Sequence, residues 1–176
     1  EGEVNAYDRQ VIGNQIPRYT FGLNISGSWK NFDFSMQWTG AWNVDRMLDE
    51  FRRPLGDTNE KGLLLYQYDT TWRSSADTFT AKFPRTSSLH ASNNYAGSDL
   101  YLINASYLRL RSVEIGYNFN FPFMKKLKMD NCRLYVNGYN LITITGFKWG
   151  DPESRQSSRP NYPLTRVFNI GLKLGF

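Results

Sequence analysis

In the run PRYTFGLNISGSWKNFDFSMQWTGAW, apolar side chains alternate with small or polar ones along almost its whole length. Tyr19, Phe21, Leu23, Ile25 and Trp29 fall on one parity, against Thr20, Gly22, Asn24, Ser26 and Ser28 on the other. After Lys30-Asn31 the pattern restarts, with Phe32, Phe34, Met36, Trp38 and Trp42 against Asp33, Ser35, Gln37 and Thr39. Successive side chains of an extended chain point to opposite faces, so each half reads as a strand with one oily and one wet face. A tight polar link between two such strands makes a hairpin. Whatever the chain folds into must therefore cover a two-strand oily surface with something equally apolar.

Three further segments repeat the pattern. From Ala105 to Phe121, Val113, Ile115, Tyr117, Phe119 and Phe121 share a parity, while Leu108 and Leu110 lie on the other. That break predicts a bulge near Ser112 or a leucine pair facing inward. The run Cys132 to Ile144 alternates less cleanly, with Leu134 and Val136 against Arg133, Tyr135 and Asn137. The last nine residues, FNIGLKLGF, set Phe168, Ile170, Leu172, Leu174 and Phe176 against Asn169, Gly171, Lys173 and Gly175. The reading is all-β and antiparallel, with strands near 18–30, 32–42, 105–121, 132–144 and 166–176.

The solvent of the oily face follows from the connections and the composition. Lys30-Asn31 is minimal and Pro122–Asn131 is short and basic, whereas 43–102 is long and 145–165 intermediate. Antiparallel succession puts the short links at one end, together with Phe176, and the long ones at the other. Aromatic residues make up 16% of the chain, yet mean hydropathy is only −0.54. No apolar run approaches the roughly 20 residues that a membrane helix needs. Strands of about 9–11 residues with alternate oily faces, short turns on one side and long loops on the other describe a transmembrane β-barrel. Aromatic girdles belong at both membrane interfaces of such a barrel. Trp29, Phe32, Phe121 and Phe176 suit the short-turn end, and Trp42 suits the far end. A soluble β-sandwich, as in a secreted carbohydrate-binding module, is the competing reading. Its outward faces would carry Lys, Glu and Thr, where this chain has mostly Gly, Ser, Asn and Thr. Glu1 opens the sequence without a charged start or an apolar run, so a mature or truncated chain is expected.

Little here points to catalysis. His90 is the single histidine, and no nucleophile stands at a motif spacing from it, so it reads as a loop residue. Cys132 reads as a small packing residue. Lys125, Lys126 and Lys128 form a solvated turn rather than a nucleic-acid patch, and the net charge of +5 is scattered. Asp151-Pro152-Glu153 could offer carboxylates to a cation but lacks a third ligand, so it reads as a rigid turn. No enzyme, cofactor or metal centre is expected. Arg109, Arg111 and Arg133 lie within strands; each would cost about 2–4 kcal/mol facing lipid near the midplane. They are assigned to a lumen or an interface, where Asp33 and Glu114, or a plug, could neutralise them. The aromatic residues of the long connection, Tyr66, Tyr68, Trp72, Phe79, Phe83, Tyr95 and Tyr101, read mainly as packing for a loop that needs its own core. Trp72, Asn93, Asn94, Tyr95, Trp149 and Asp151 are the candidates for contact with a substrate or a lid protein.

The segments DRQVIGNQIPRYTFGLNISGSWKNFDFSMQWTG, NASYLRLRSVEIGYNF, LYVNGYNLITITGF, GDPE and YPLTRVFNIGLKLGF, in this order, resemble the C-terminal end of SusC/RagA-type TonB-dependent transporters. The resemblance spans nearly the whole chain and is weakest between Asn43 and Phe83. It implies the outer membrane of Bacteroidota and a plugged barrel of about 22 strands, of which this chain would supply the last five. It also implies active import of glycan or peptide oligomers with a SusD-like surface lipoprotein. Energy would come from TonB-ExbB-ExbD, acting through a plug and TonB box that this chain lacks. The assembly machinery would recognise the C-terminal strand, outer-membrane lipid would meet the oily face, and the rest of the barrel would lie outside this chain. The sheet is then expected to be open, its strands in sequence order and both outer edges without a partner.

Overall fold

The computed structural model of the chain describes residues 6–52, 65–86, 94–120, 122, 128–154 and 164–176. Its strands are β1 (Tyr19–Trp29), β2 (Phe32–Trp42), β3 (Asp45–Met47), β4 (Leu102–Asn104), β5 (Tyr107–Phe119), β6 (Asn131–Thr145) and β7 (Val167–Gly175), with a short α-helix, α1 (Leu65–Thr70), and 3-10 turns at Ala6–Asp8, Asp49–Arg52, Ser75–Asp77 and Asp99–Tyr101. Two compact units emerge: residues 17–44, 105–154 and 161–176 form one, and 1–16, 45–104 and 155–160 the other.

The first unit is a single antiparallel sheet in the order β1-β2-β5-β6-β7. Pairing keeps the alternations in phase. Leu23 faces Trp38 and Ile25 faces Met36 across β1 and β2. Phe34 lies opposite Ile115, Ile115 opposite Val136 and Val136 opposite Ile170, so an apolar row crosses four strands without a break. Many of these side chains are open to solvent, Ile170 at 73% and Ile115 at 56%, whereas among the described residues the unit's buried hydrophobic side chains are Ala41, Val44, Ala105 and Leu110. The largest apolar surface of the sheet is thus outside it. A soluble monomer rarely shows a contiguous apolar patch of more than a few hundred Å².

The parity break in β5 is a bulge. Gln37 pairs with Ser112 and Trp38 with Leu110, leaving Arg111 without a counterpart on β2. On the other side Leu110 pairs with Ile142 and Ser112 with Tyr139, so Asn140 and Leu141 together face Arg111. Asn140 takes a left-handed φ of 53° there, a conformation that asparagine tolerates better than most residues. One inserted residue shifts the alternation by one, which returns Leu108 and Leu110 to the apolar side. Of the two expectations for this segment, the bulge is the one realised.

Among the described residues, β1 pairs only with β2 and β7 only with β6, so the sheet is open, as the resemblance implies.

The second unit gives the long connection a structure that periodicity did not reveal. β3 pairs with β4, Asp45 facing Asn104 and Met47 facing Leu102. Tyr66 meets Phe83 edge-on at 6.0 Å, and Phe83 stacks on Tyr101 at 5.8 Å. Tyr101 is buried, and its hydroxyl donates to the Asn94 carbonyl at 2.6 Å. Packing therefore accounts for these three rings, while Tyr68 and Phe79 remain exposed. Burial raises the Tyr101 phenol above its ordinary value, with Tyr95 adding to the shift and Arg52 opposing it. The neutral phenol is the form that the fold favours. This contribution is fully present below about pH 10, the unfolded value, and is lost as pH rises through the raised folded value. An alkaline titration followed by near-ultraviolet circular dichroism should show a loosening step that is absent in Tyr101→Phe.

Candidate functional site on the polar face

The polar residues of the five-stranded sheet gather into two clusters on its other face. In the first, Arg133 on β6 reaches across Gly116 on β5 to Asp33 on β2. Its Nε donates to Asp33 Oδ2 at 3.0 Å, and its Nη2 donates to Asp33 Oδ1 and, at 2.8 Å, to Glu114 Oε1. Gly116 makes the crossing possible, since a Cβ there would stand 2.3 Å from Arg133 Nη2. Asn118 Nδ2 donates to Asp33 at 3.0 Å, Asn137 Nδ2 to Glu114 at 3.3 Å, and Asn169 Nδ2 to Asn137 at 2.9 Å. A hydrogen-bonded chain thus links β2, β5, β6 and β7.

The second cluster sits at the other end of the sheet. Arg109 is buried and uses all of its nitrogens: Nε donates to Thr143 at 3.0 Å, Nη1 to Glu153 at 2.9 Å and Nη2 to Asp151 at 2.8 Å. Arg111, the bulge residue, donates to Thr39 at 3.0 Å and also to Glu153. The carboxylates come from the β6–β7 connection, where Asp151 Oδ1 accepts the Glu153 amide at 2.9 Å and Pro152 is buried. Asp33 and Glu114 therefore neutralise Arg133 alone. Arg109 and Arg111 take their counter-charge from Asp151 and Glu153, a pairing that the sequence reading did not assign. The same guanidinium groups occupy the carboxylates that a cation would need. Among the described residues no His, Cys, Asp and Glu group could hold a metal.

Between the clusters the wall shows Asn24, Gln37, Ser26 and Ser35, paired across β1 and β2. These groups can donate and accept hydrogen bonds, but none is a nucleophile beside a base. The chemistry on offer is solvation of a polar passage.

The proposed contact residues scatter. Asp151 is held by Arg109, and Trp149 is half-buried. Trp72 donates its amide to the Phe83 carbonyl at 2.9 Å. The Asn94 side chain donates to the Arg85 carbonyl at 3.4 Å, and the Tyr95 carbonyl accepts from Arg52 at 3.1 Å. Asn93 and His90 lie outside the described residues, as does Phe121. Trp29 and Phe32 face each other across the hairpin, where Lys30 Nζ sits 4.7 Å from the Trp29 ring. Phe32 also meets Tyr117 edge-on at 4.7 Å. Trp42 lies opposite Tyr19, and Phe176 follows β7, fully in the open. The Phe32–Tyr117 contact was missed, because a long connection separates β2 from β5 and no turn fixes their register in the sequence.

An open antiparallel sheet with one continuous apolar face and an ion-paired polar face is a segment of transmembrane β-barrel wall. No protein-family model matches the chain. It is 29% identical over 99% of its length to a TonB-dependent receptor of Formosa agariphila, and 26% identical over 99% to the TonB-dependent receptor SusC of Bacteroides thetaiotaomicron. The chain spans 18% and 17% of those two proteins. The RagAB peptide importer in its open-open state superposes over 100% of the chain with a TM-score of 0.72 at 20% identity, and over 19% of that chain. The closed-closed state gives the same TM-score of 0.72 over 99% of the chain. The resemblance to SusC/RagA-type TonB-dependent receptors is borne out, and it places the chain in the cell outer membrane, which it crosses several times. These relatives are named as receptors and importers, in keeping with a chain that is not an enzyme.

Proposed function

We propose that the chain forms part of the wall of an outer-membrane TonB-dependent importer of nutrients, glycan or peptide oligomers, that works with a SusD-like surface lipoprotein. The observation that carries this reading is the unbroken apolar row from Phe34 to Ile170, backed by a polar face whose strand cations are all neutralised except Lys173. Lipid meets the first face and a hydrated lumen the second. The names of the relatives, TonB-dependent receptor SusC and a peptide importer, support the direction of transport. TonB-ExbB-ExbD would act through a plug contributed from outside this chain, and the assembly machinery would bind the C-terminal strand. A β-sandwich would need a second sheet over the apolar face; the only other sheet among the described residues has two strands of three residues each.

Purification of the full-length protein in detergent, with the co-isolated polypeptides identified, tests the partnership. A SusD-like lipoprotein in the complex is the expected result, and recovery from the aqueous phase without detergent would refute the reading. The topology has its own test. Cysteines at Trp72, Tyr95 and Trp149 should react with an impermeant reagent on intact cells, and cysteines at Lys30 and Lys128 should not. The reverse pattern would invert the wall.

A further inference from the structure

We propose that residues 146–154 are a strap closed over a carboxylate-binding guanidinium pair, with Glu153 as its tethered occupant, and that a soluble polycarboxylate exchanges with it. The strap has two attachments. Phe147 packs against Ala41, Val44 and Ala105 at the end of the polar face, and its amide donates to Thr145 Oγ1 at 3.0 Å. Four residues on, Asp151-Pro152-Glu153 is folded on itself by the Glu153 amide and by the Ser154 amide, which donates to the Asp151 carbonyl at 3.0 Å.

The occupant and its receptor differ in burial. The Arg109 side chain is 3% exposed and that of Asp151 13%, whereas the Glu153 side chain is 39% exposed and that of Arg111 29%. Glu153 bridges the two guanidinium groups with one oxygen on each. Each arginine thus holds Glu153 by a single charge-assisted hydrogen bond, and together the two guanidinium groups span its carboxylate. On the strands themselves, Asp33 and Glu114 are both committed to Arg133. Without the strap, Arg109 and Arg111 would keep the hydroxyls of Thr143 and Thr39 and, for Arg109, the Tyr107 ring at 5.4 Å, none of which carries a counter-charge, and the wall would present two adjacent positive charges. The bulge is what adds the second of them, because Arg111 is the inserted residue. Being half-exposed, Glu153 can yield its place to an incoming carboxylate while Phe147 keeps the strap nearby.

The experiment uses the full-length protein in detergent, with a nitroxide label on a cysteine at Lys148, an exposed strap residue, and other cysteines replaced. Electron paramagnetic resonance then reads the strap as immobilised or mobile, and the heat-modifiability of each variant on unboiled gels shows that its barrel has folded. The double variant Asp151→Asn with Glu153→Gln should raise the mobile fraction roughly tenfold, since it removes the charge-assisted bonds. Citrate should mobilise the native strap more than sodium chloride at equal ionic strength. Arg111→Gln should abolish that excess. An unchanged label in the double variant would overturn the latch. Citrate and chloride acting alike, or an excess that survives in Arg111→Gln, would overturn the exchange.

Discussion

Val136→Arg should destabilise the folded wall by about 2–4 kcal/mol, the usual effect of a cation on the lipid side near mid-membrane. Val136 stands between Ile115 and Ile170 in the apolar row, with no carboxylate in that row to pair a guanidinium. Asn137→Arg is the matched control. It places the same charge one residue along, on the face where Glu114 already accepts from Asn137. Urea titration in lipid vesicles, followed by tryptophan fluorescence, should show a lower midpoint for Val136→Arg and a small change for Asn137→Arg. Equal midpoints would mean that the oily face does not meet lipid.

Gly116→Val should break the Arg133 cluster without touching a charged residue. The new side chain would begin 2.3 Å from Arg133 Nη2, so the flexible guanidinium has to move. Asp33 and Glu114 then lose their cation. Removing one partner of a buried ion pair can cost several kcal/mol. Here the two carboxylate side chains are 31% and 32% exposed, so solvent screening reduces the expected loss to about 1–3 kcal/mol. If displacement of Arg133 is the whole cause, Arg133→Met added to Gly116→Val should lower the midpoint little further. Additive losses would place the damage in the backbone instead.

How far the sequence carried depends on the range of the interaction. The strand alternation is local: Phe34 and Met36 announce their face by spacing alone, and the parity break between Leu110 and Val113 announced the bulge. The partner of Arg133 could be inferred because Asp33 and Glu114 are the only acids inside the strands of the five-stranded sheet. The partners of Arg109 and Arg111 could not. Asp151 and Glu153 reach them only because the connection folds back on itself and Phe147 finds a small apolar seat among Ala41, Val44 and Ala105. No periodicity encodes such a return. The structure inside 43–102 was illegible for a similar reason. Three-residue strands and isolated turns are too short for a period, and the Phe83–Tyr101 stack joins residues with no spacing in common.

The β3–β4 pair has a consequence for what the wall can tolerate. β2 and β5 are neighbours although a long connection separates them, and closing a long loop costs more entropy than closing a tight turn, about 0.6 kcal/mol for each doubling of length. Val44 and Ala105 are joined by a backbone hydrogen bond at 2.8 Å, Asp45 faces Asn104, and the Leu48 amide donates to the Tyr101 carbonyl at 2.8 Å. These pairings form a stem that fastens the two ends of the connection to each other. With the stem zipped, the β2–β5 register no longer depends on how much chain lies between Leu48 and Tyr101. Segments of other lengths grafted between Leu48 and Tyr101 are therefore expected to leave the β2–β5 pairing unchanged.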